Sequence, residues 1–484
     1  MNVLNAILSI FLGFLVSKSY SFISFGSILF FVSISIWFAF NYHIKSRGFL
    51  PYTLCWFLFG FAFILSSLSW MIDYIGMYYF EIKYYLIWIF LVVILSLPYL
   101  LIPILSYNSH EKFNIILIPS LMSGIEISRE YTTDLPTPSL MPSYLFTDLI
   151  PSELYEVWGG SGVSLTIYIF SYFLALIILK KNTPSFKTVF FSLLVFVFCT
   201  FLLAGNTKDI GSISVRVIND NYKTSEKTNS DNFLDRINNY AEISKKEPIT
   251  DLTIWPESSY LNSRIIDPGS LPYLEKAIET DSEVLIGMKS KSEHGISNSI
   301  FSLSKNEVIY NKRFLIPFEE FMPKWFSHIF SDTYQSNEFE TIRGEELGFV
   351  NIDKYRGILT ICYEVLFSRA YISEEDEYNF IVILSDLNWN TNVWIEDVML
   401  RIAIVRAMEM SKPLLISSNG AISSIISKEG VNESINKDNL SYLDGNIEVT
   451  EGNSFYYKNR NLLNILLWFI FMLMVIKDRF SYEN

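Results

Sequence analysis

Residues 357–364 read GILTICYE, an apolar run that ends in Cys362, Tyr363 and Glu364. Apolar runs of this length favour a β-strand, and near-continuous ones indicate a strand buried on both faces. The stretch therefore predicts a buried strand with a thiol at its end. A thiolate in that place is a competent nucleophile once a base takes its proton, although a buried, inert cysteine fits the same pattern.

Two more chemically active side chains follow strand-like runs. The run LTIW at 252–255 precedes Pro256 and Glu257, and the end of a buried strand is where α/β folds usually carry their sites. Partial desolvation there would raise the pKa of the carboxyl group and suit it to act as a base. The segment NKRFLIPFEEFMP at 311–323 carries Lys312, which in a crevice could stabilise an oxyanion. A solvated glutamate and a solvated lysine remain the alternatives.

The region around these runs alternates β-rich and helical patterns, which indicates a layered α/β domain over 206–460. Helices are predicted at 231–246 and 393–411, and the polar stretches 219–230 and 431–454 are predicted to be loops, the second partly flexible. The predicted strands are SISVRVI (212–218), LTIW (252–255), EVLIGM (283–288), GILTIC (357–362), FIVIL (380–384) and LLISS (414–418).

The remainder of the 484-residue chain is strongly apolar. Half of all residues are apolar and the mean hydropathy is +0.29, although 18% are charged, so polar and apolar residues are segregated along the chain. A helix needs about 20 largely apolar residues to span a bilayer. Eight candidate spans lie near 3–18, 20–40, 52–72, 84–106, 113–128, 163–179, 188–204 and 461–476. The fifth also fits a re-entrant or interfacial segment.

The distribution of basic residues predicts the orientation of these spans. With both termini inside, the inner loops hold Lys45, Arg47, Lys112, Lys180, Lys181, Lys187, Lys477 and Arg479, whereas the short outer loops hold only Lys18, Lys83 and Arg129. The expected organisation is a seven-span membrane domain (1–205), an outer α/β domain (206–460), and a last helix with a short cytoplasmic tail (461–484).

Charge and composition exclude several functional classes. The net charge of −13 is spread along the chain, which argues against a nucleic-acid partner. No pair among the four histidines has metal-ligand spacing, so no metal is expected. The candidate spans carry few charges beyond Glu126, which disfavours a channel or transporter. Cys362 is the only cysteine outside the apolar runs, so the outer domain has no partner for a disulfide.

The chain order Glu257, Lys312, Cys362 resembles that of the nitrilase (carbon–nitrogen hydrolase) superfamily. That resemblance implies a four-layer α-β-β-α sandwich in which these three residues form the catalytic triad. Seven spans before such a domain and one after it resemble the apolipoprotein N-acyltransferase family, as does the pattern Lys-x-x-Leu-x-Pro-Phe-x-Glu-x-x-Pro at 312–323. Further matches are the Ile-Leu-Ser-Asp run with a Trp at 383–389, Arg-Ala-Met-Glu at 406–409, Ser-Asn-Gly at 418–420 and Lys-Glu-Gly at 428–430.

The chain departs from the family pattern at three places. Glu319 stands where the family usually has Gly, and Leu387 stands where it has Asp. An early Gln-Gly-Asn/Asp motif is absent, because 218–221 reads INDN. These changes leave the triad intact and bear on the identity of the substrate.

The resemblance also implies a mechanism. Glu257 would take the proton of Cys362, and the thiolate would attack a phospholipid ester. Lys312 and the backbone N–H of Tyr363 would stabilise the oxyanion, leaving a thioester acyl-enzyme. The α-amine of a diacylglyceryl apolipoprotein would then take the acyl chain. Phosphatidylethanolamine is the implied donor, no cofactor is implied, and the enzyme would lie in the bacterial inner membrane with its catalytic domain in the periplasm.

Supporting roles and rival functions complete the expectations. Glu320 would orient Lys312 or the amine, and Glu364 and Tyr363 are further supporting residues. Aromatic residues in 318–325 would either dip into the lipid interface or fill the core of the domain. The rival functions are a membrane-tethered amidase or hydrolase of the nitrilase type, and an inactive homologue that acts as a membrane scaffold.

Overall fold

The computed structural model describes residues 3–22, 24–72, 82–131, 140–181, 186–222, 233–260, 276, 278–292, 295–321, 323–324, 341–374, 377–389, 393–435 and 440–460. In this part of the chain, the first 203 residues form helices. They are α1 (Val3–Lys18), α2 (Gly26–Lys45), α3 (Phe49–Ser67), α4 (Ile82–Ser96), α5 (Leu101–Ser106), α6 (Glu111–Tyr131), α7 (Ser152–Ile178) and α8 (Phe186–Leu203).

Five described stretches are long and apolar enough to cross a membrane, compared with the eight that were expected. They are Val3–Ser21, Gly26–Lys45, Phe49–Ser67, Tyr85–Ser106 and Ser152–Ile178. A shorter apolar helix covers Leu193–Leu203, where the seventh span was predicted. The eighth predicted span, 461–476, lies outside the described residues. The predicted membrane-helical class is confirmed, and the count of eight is approximate.

The fifth predicted span is a helix but is not among these five. Its helix, α6, has 21 residues, contains Pro119, and buries Glu126 and Arg129. Glu126 accepts a hydrogen bond from the hydroxyl of Tyr168, and Arg129 donates one to the Tyr99 hydroxyl over 3.0 Å. The helix bundle can hold these charged side chains because they find polar partners inside it.

The α/β domain contains two six-stranded sheets. Sheet one has the order β12-β1-β2-β3-β4-β5, and sheet two has the order β11-β10-β9-β8-β7-β6. The strands are β1 (Lys208–Asn219), β2 (Leu252–Ile254), β3 (Glu283–Ser292), β4 (Gly295–Ser302), β5 (Glu307–Asn311), β6 (Gly348–Ile352), β7 (Tyr355–Ile361), β8 (Phe380–Asp386), β9 (Leu414–Asn419), β10 (Ser423–Ile426), β11 (Asn432–Ile435) and β12 (Ser441–Glu451). Each sheet has three parallel strands at its centre, β1-β2-β3 and β7-β8-β9.

Successive residues along a central strand belong to different hydrophobic cores. On β7, Leu359 belongs to the core between the two sheets, whereas Ile358 belongs to the core shared with the membrane helices. This follows from the two-residue period of a strand, and it explains why the central strands are apolar throughout. Helix α9 (Phe233–Ser244) shares a core with the outer face of sheet one, and α10 (Val393–Met410) shares one with the outer face of sheet two. The predicted α-β-β-α sandwich is thus confirmed.

All six predicted strands and both predicted helices of this domain are present, but the loop prediction for 431–454 was wrong. That stretch forms β11 and β12, and β12 pairs with the whole length of β1. The error has a physical reason. Strand β12 lies at the edge of sheet one and its residues 441–446 are half-buried or exposed, so the run lacks the apolar character of a central strand. Most of 219–230 lies outside the described residues.

The α/β domain docks on the membrane helices through α10. Glu409 on α10 accepts a 2.5 Å hydrogen bond from the backbone N–H of Gly160 in α7. The α7 backbone breaks at Gly159, where φ is +65°, and a side chain there would collide with the Tyr456 ring. One continuous hydrophobic core therefore joins the helices to sheet two.

Candidate active site

The three residues expected to form the triad follow the ends of three strands, two in sheet one and one in sheet two. Glu257 follows β2, Lys312 directly follows β5, and Cys362 directly follows β7. The Lys312 Nζ atom lies 3.8 Å from Oε1 of Glu257, and all three side chains are buried. Both charged groups act electrostatically on the Cys362 thiol. The ends of the two sheets thus bring together a carboxylate, an ammonium group and a thiol.

Lys312 is held by contacts on both its backbone and its side chain. Its backbone N–H donates to the carbonyl of Asn298 on β4 over 2.8 Å, and its ammonium donates to Glu320 over 3.0 Å. Burial alone would lower the pKa of Lys312, but the carboxylates of Glu320 and Glu257 outweigh that effect and raise it. In turn, Lys312 lowers the pKa of Glu320, against the effect of burial. The pair remains ionised at neutral pH.

Asn298 is a member of the site that the sequence did not reveal. Its side-chain amide donates to Glu257 over 2.6 Å and to Glu320 over 3.2 Å, so it joins the two carboxylates that flank Lys312. The signal in the sequence was weak, because β4 reads GISNSIFS and lacks an apolar run. An Asn inside an alternating Ser/Ile pattern could have predicted a half-polar strand, but not the partners of its side chain.

The Glu257 carboxylate is oriented through one of its two oxygens. Oε1 accepts the bond from Asn298, while Oε2 is buried without a hydrogen-bond partner among the described residues. Burial raises the pKa of Glu257, although the positive charge of Lys312 opposes the shift. A buried carboxylate oxygen without a donor is poised to accept a proton.

Cys362 is a protonated thiol at rest. Burial raises the pKa of Cys362 strongly and the negative charge of Glu257 adds to the shift, while Lys312 opposes it. The sulfur lies 3.9 Å from the carbonyl oxygen of Asp386. The thiol must therefore lose its proton as it attacks, because a resting thiolate would be costly in this environment.

The backbone at Cys362 turns sharply from strand to helix. Its φ is +49°, in the left-handed region that non-glycine residues rarely adopt, at a cost of about 1–3 kcal/mol. A short 3₁₀ helix, Cys362–Leu366, begins at this residue. The turn places the thiol at the end of the sheet, and Tyr363 is the second residue of the short helix.

Glu364 ties the Lys312 loop to the Cys362 turn. Its carboxylate accepts hydrogen bonds from the Tyr310 hydroxyl (2.7 Å) and from the backbone N–H groups of Ile361 (2.7 Å), Arg313 (2.8 Å) and Phe314 (3.0 Å). These donors come from the end of β5, the loop after it and the end of β7. Glu364 therefore fixes the relative positions of the nucleophile and the lysine.

An apolar cavity of about 200 Å³ opens beside Cys362. Its lining comes from the α/β domain and from the membrane helices, and the centroids of the Trp70 and Trp389 rings lie 5.4 Å apart. The lining residues are Ser67, Leu68, Trp70, Met71, Leu91, Leu95, Leu140, Ile316, Pro317, Phe318, Glu319, Cys362, Tyr363, Leu366, Leu387, Trp389, Trp394, Ile395, Val398 and Met399. The cavity connects the thiol with the apolar helix bundle.

Two of the departures from the family pattern line this cavity. Leu387 is buried against it and Glu319 is exposed in its wall. Of the 318–325 segment, Phe318 lies on the cavity wall, while 322 and 325 lie outside the described residues. The third departure, at 218–221, contains Asn219, which is buried and donates to the carbonyl of Ala421 over 2.7 Å.

Comparison with known proteins gives the membrane half a family match. The family model of the apolipoprotein N-acyltransferase N-terminal domain matches residues 12–173. An apolipoprotein N-acyltransferase of Rickettsia typhi is 22% identical over 457 residues, covering 87% of this chain and 88% of the relative. One of Vibrio parahaemolyticus is 24% identical over 247 residues, covering 45% of this chain and 46% of the relative.

Two solved structures resemble part of the chain. A CN-hydrolase superfamily protein of Xanthomonas campestris is 12% identical and covers 54% of this chain and 97% of its own, with a TM-score of 0.37. A nitrilase-superfamily amidase of Nesterenkonia is 14% identical and covers 55% of this chain and 100% of its own, with a TM-score of 0.38. The chain is thus similar to apolipoprotein N-acyltransferases, through the family model in its membrane half and through relatives that extend over most of its length.

Proposed function

We propose that this enzyme moves an acyl chain from a phospholipid, through a thioester on Cys362, to the α-amine of a diacylglyceryl apolipoprotein. One observation carries the proposal. The Cys362 thiol, on which Glu257 and Lys312 act electrostatically, lines an apolar cavity that continues onto the membrane helices. A lipid acyl chain fits such a cavity, because burying its methylenes contributes about 0.8 kcal/mol each.

The first half-reaction uses the three triad residues. Oε2 of Glu257 takes the proton of Cys362 while the sulfur attacks the ester carbonyl of the donor. Lys312, together with the backbone N–H of Tyr363, stabilises the negative oxygen of the tetrahedral intermediate. When the C–O bond breaks, Glu257 returns the proton to the leaving lyso-phospholipid, and the thioester remains.

The second half-reaction reverses these roles. The acceptor amine attacks the thioester carbonyl, the N–C bond forms, and the C–S bond breaks. The sulfur recovers a proton through Glu257. Glu320 is a positioning residue for Lys312, and Glu364 positions the turn that carries Cys362 and Tyr363. Phosphatidylethanolamine is the proposed donor.

The location of the protein is part of the same proposal. Residues 1–205 and 461–484 would anchor it in the bacterial inner membrane, and residues 206–460 would form the catalytic domain on the periplasmic face. The charge asymmetry of the loops supports this orientation, as does the cavity, which opens where the domain meets the helices.

A membrane-tethered hydrolase is the second candidate, because water could resolve the same thioester. The apolar lining around Cys362 favours transfer, since it gives water few polar groups to bind. A scaffold without catalysis is disfavoured by the buried charges of Glu257 and Lys312, which are costly to retain without a use.

The test is to incubate the purified full-length protein in detergent with labelled phosphatidylethanolamine, quench with acid and search for an acyl adduct by mass spectrometry. The adduct is expected on Cys362 and absent from Cys362→Ala, while Cys199→Ala forms it normally. A diacylated lipopeptide is then added. Labelled triacylated peptide supports the transferase, whereas labelled free fatty acid alone supports the hydrolase. Acylation without the Cys362 thiol would refute the proposal.

A further inference from the structure

Glu319 occupies an unusual position in the cavity. It is the one charged side chain among the described residues that line the cavity, and the rest of the lining is aromatic, aliphatic or weakly polar. It lies in a tight turn in which the Phe318 N–H donates to the Phe321 carbonyl over 2.8 Å, and the φ of Phe318 is +68°. The turn holds Glu319 at the cavity while its neighbour Glu320 points to Lys312.

The carboxylate of Glu319 is not engaged by the rest of the site. Within the described residues, no hydrogen bond or ion pair involves it, whereas Glu320 accepts from Lys312 and from the N–H of Ile316. The charged groups that act on Glu319 are Glu320, Lys312, Glu257 and Lys289 of β3. Cys362 and Tyr363 are the other titratable groups of the cavity lining.

The second half-reaction needs a group with these properties. An α-amine has a pKa of about 7.7–8.0, so it arrives mostly as an ammonium ion, which cannot attack a carbonyl. Glu257 has to take the second amine proton and pass it to the departing sulfur, so the first proton needs another acceptor. A second carboxylate beside the thioester would attract the ammonium group and accept its first proton.

We infer, on the basis of the proposed function, that Glu319 binds the primary ammonium group of the acceptor and removes the proton that this group must lose before it attacks the thioester. The two proton transfers balance with residues of this chain and solvent alone. One proton passes from nitrogen to Glu319 and then to solvent. The second is lost as the N–C bond forms, and it passes through Glu257 to the sulfur of Cys362 as the C–S bond breaks.

The electrostatic setting suits this role. The protein packed around Glu319 limits its access to water although part of the side chain is exposed, and Glu320 adds a like charge. Together they raise the pKa of Glu319 to about 7. A carboxyl group with that pKa is ionised often enough to bind a cation near neutral pH, and it is basic enough to compete for its proton.

A primary ammonium group also occurs in the headgroup of a phosphatidylethanolamine donor, so the experiment separates the two sources. Full-length protein is acylated with either phosphatidylethanolamine or phosphatidylglycerol, which lacks the amine. The rate of adduct formation on Cys362 is measured first. The isolated acyl-enzyme is then mixed with diacylated lipopeptide, and amide formation is followed from pH 5.5 to 9.

In Glu319→Gln, adduct formation with either lipid should fall far less than amide formation, because Cys362, Glu257 and Lys312 are all retained. Amide formation at pH 7 should fall by about 10²-fold, at the lower end of the range for a lost acid–base group. Its rate should rise with pH through about 7 in wild type. In the variant the rise should move toward about pH 8, where the amine loses its own proton.

Glu319→Asp should recover part of the rate of amide formation. Glu307→Gln, which changes an exposed glutamate on β5, is the matched control.

Equal amide formation by Glu319→Gln and wild type, with an unchanged pH profile, would overturn the inference while leaving the proposed function intact. A defect confined to adduct formation from phosphatidylethanolamine would assign the ammonium site to the donor and overturn the acceptor assignment. Failure of wild type to form any Cys362 adduct would instead refute the proposed function.

Discussion

The Lys312 ammonium is the most constrained charge in the site, and Glu320 is its nearest counter-charge. Glu320 → Gln keeps the shape of the side chain but removes the charge that the ammonium meets at 3.0 Å. We expect the first-order rate of Cys362 acylation to fall by about 10²–10³, comparable with the loss of one oxyanion donor. Time courses of acylation with labelled phospholipid, quenched with acid, measure this rate.

Glu307→Gln is the control for that experiment, because it removes the charge of an exposed glutamate on β5. A positioning role also predicts that donor binding is retained, so the rate constant should fall while half-saturation by phospholipid is nearly unchanged. If Glu320→Gln acylates as fast as the control, the ion pair has no part in the chemistry.

The pH dependence of acylation follows from Glu257. Burial raises its pKa above the ordinary 4.5, and its carboxylate is the active form. Acylation should therefore be lost as pH falls through a value higher than 4.5. No further gain is expected as the pH rises toward 9, because burial and Glu257 hold the pKa of Cys362 above its ordinary 9.0 and the thiol stays protonated.

Single-turnover acylation rates between pH 4 and 9.5 provide the test. Glu307→Gln should give the same acid limb, since Glu307 is exposed on β5. An increase in rate centred between pH 8 and 9 would contradict the protonated resting thiol, and it would point to a preformed thiolate instead.

At the scale of elements, Glu364 connects β5, its loop and β7. Glu364→Gln would replace an oxygen that accepts N–H donors with an amide nitrogen, leaving at least one buried backbone N–H without an acceptor. A loss of about 1–3 kcal/mol in stability is expected for each such group. The thermal unfolding midpoint of the protein in detergent measures this loss.

Acylation should fall in the same variant, because the Lys312 loop would no longer be fixed relative to Cys362. Glu429→Gln is a suitable control, since Glu429 lies in the exposed turn between β10 and β11. A variant with wild-type stability and wild-type acylation would show that the loop is held by its other contacts alone.

The same elements explain how far the sequence could predict the fold. The central strands were predictable because strands buried on both faces have continuous apolar sequences, as in β7 and β8. Strand β4 was not, since its residues include Asn298 and four serines or glycines that depend on partners distant in sequence. The three triad positions could be proposed from their order and strand ends, while the contacts of Asn298 exist only after the strands pair.

At the scale of the molecule, the cavity belongs to both halves of the chain, so a membrane helix should influence the chemistry. Leu91 on α4 is buried and lines the cavity, while Leu86 on the same helix is 64% exposed. Leu91→Trp should shorten the space for an acyl chain. If it removes room for two methylenes, acylation from long-chain donors should fall by about 15-fold, because each buried methylene contributes about 0.8 kcal/mol.

Acylation rates for donors that differ only in chain length, measured on the same protein preparation, provide the comparison. Leu91→Trp should favour shorter chains, and Leu86→Trp should keep the wild-type order. This change in selectivity separates occupancy of the cavity from general damage, because overpacking costs about 1–3 kcal/mol of stability and would slow all donors alike. An unchanged chain-length profile in Leu91→Trp would mean that the acyl chain lies elsewhere, and the role of the membrane helices would then be limited to anchoring the domain.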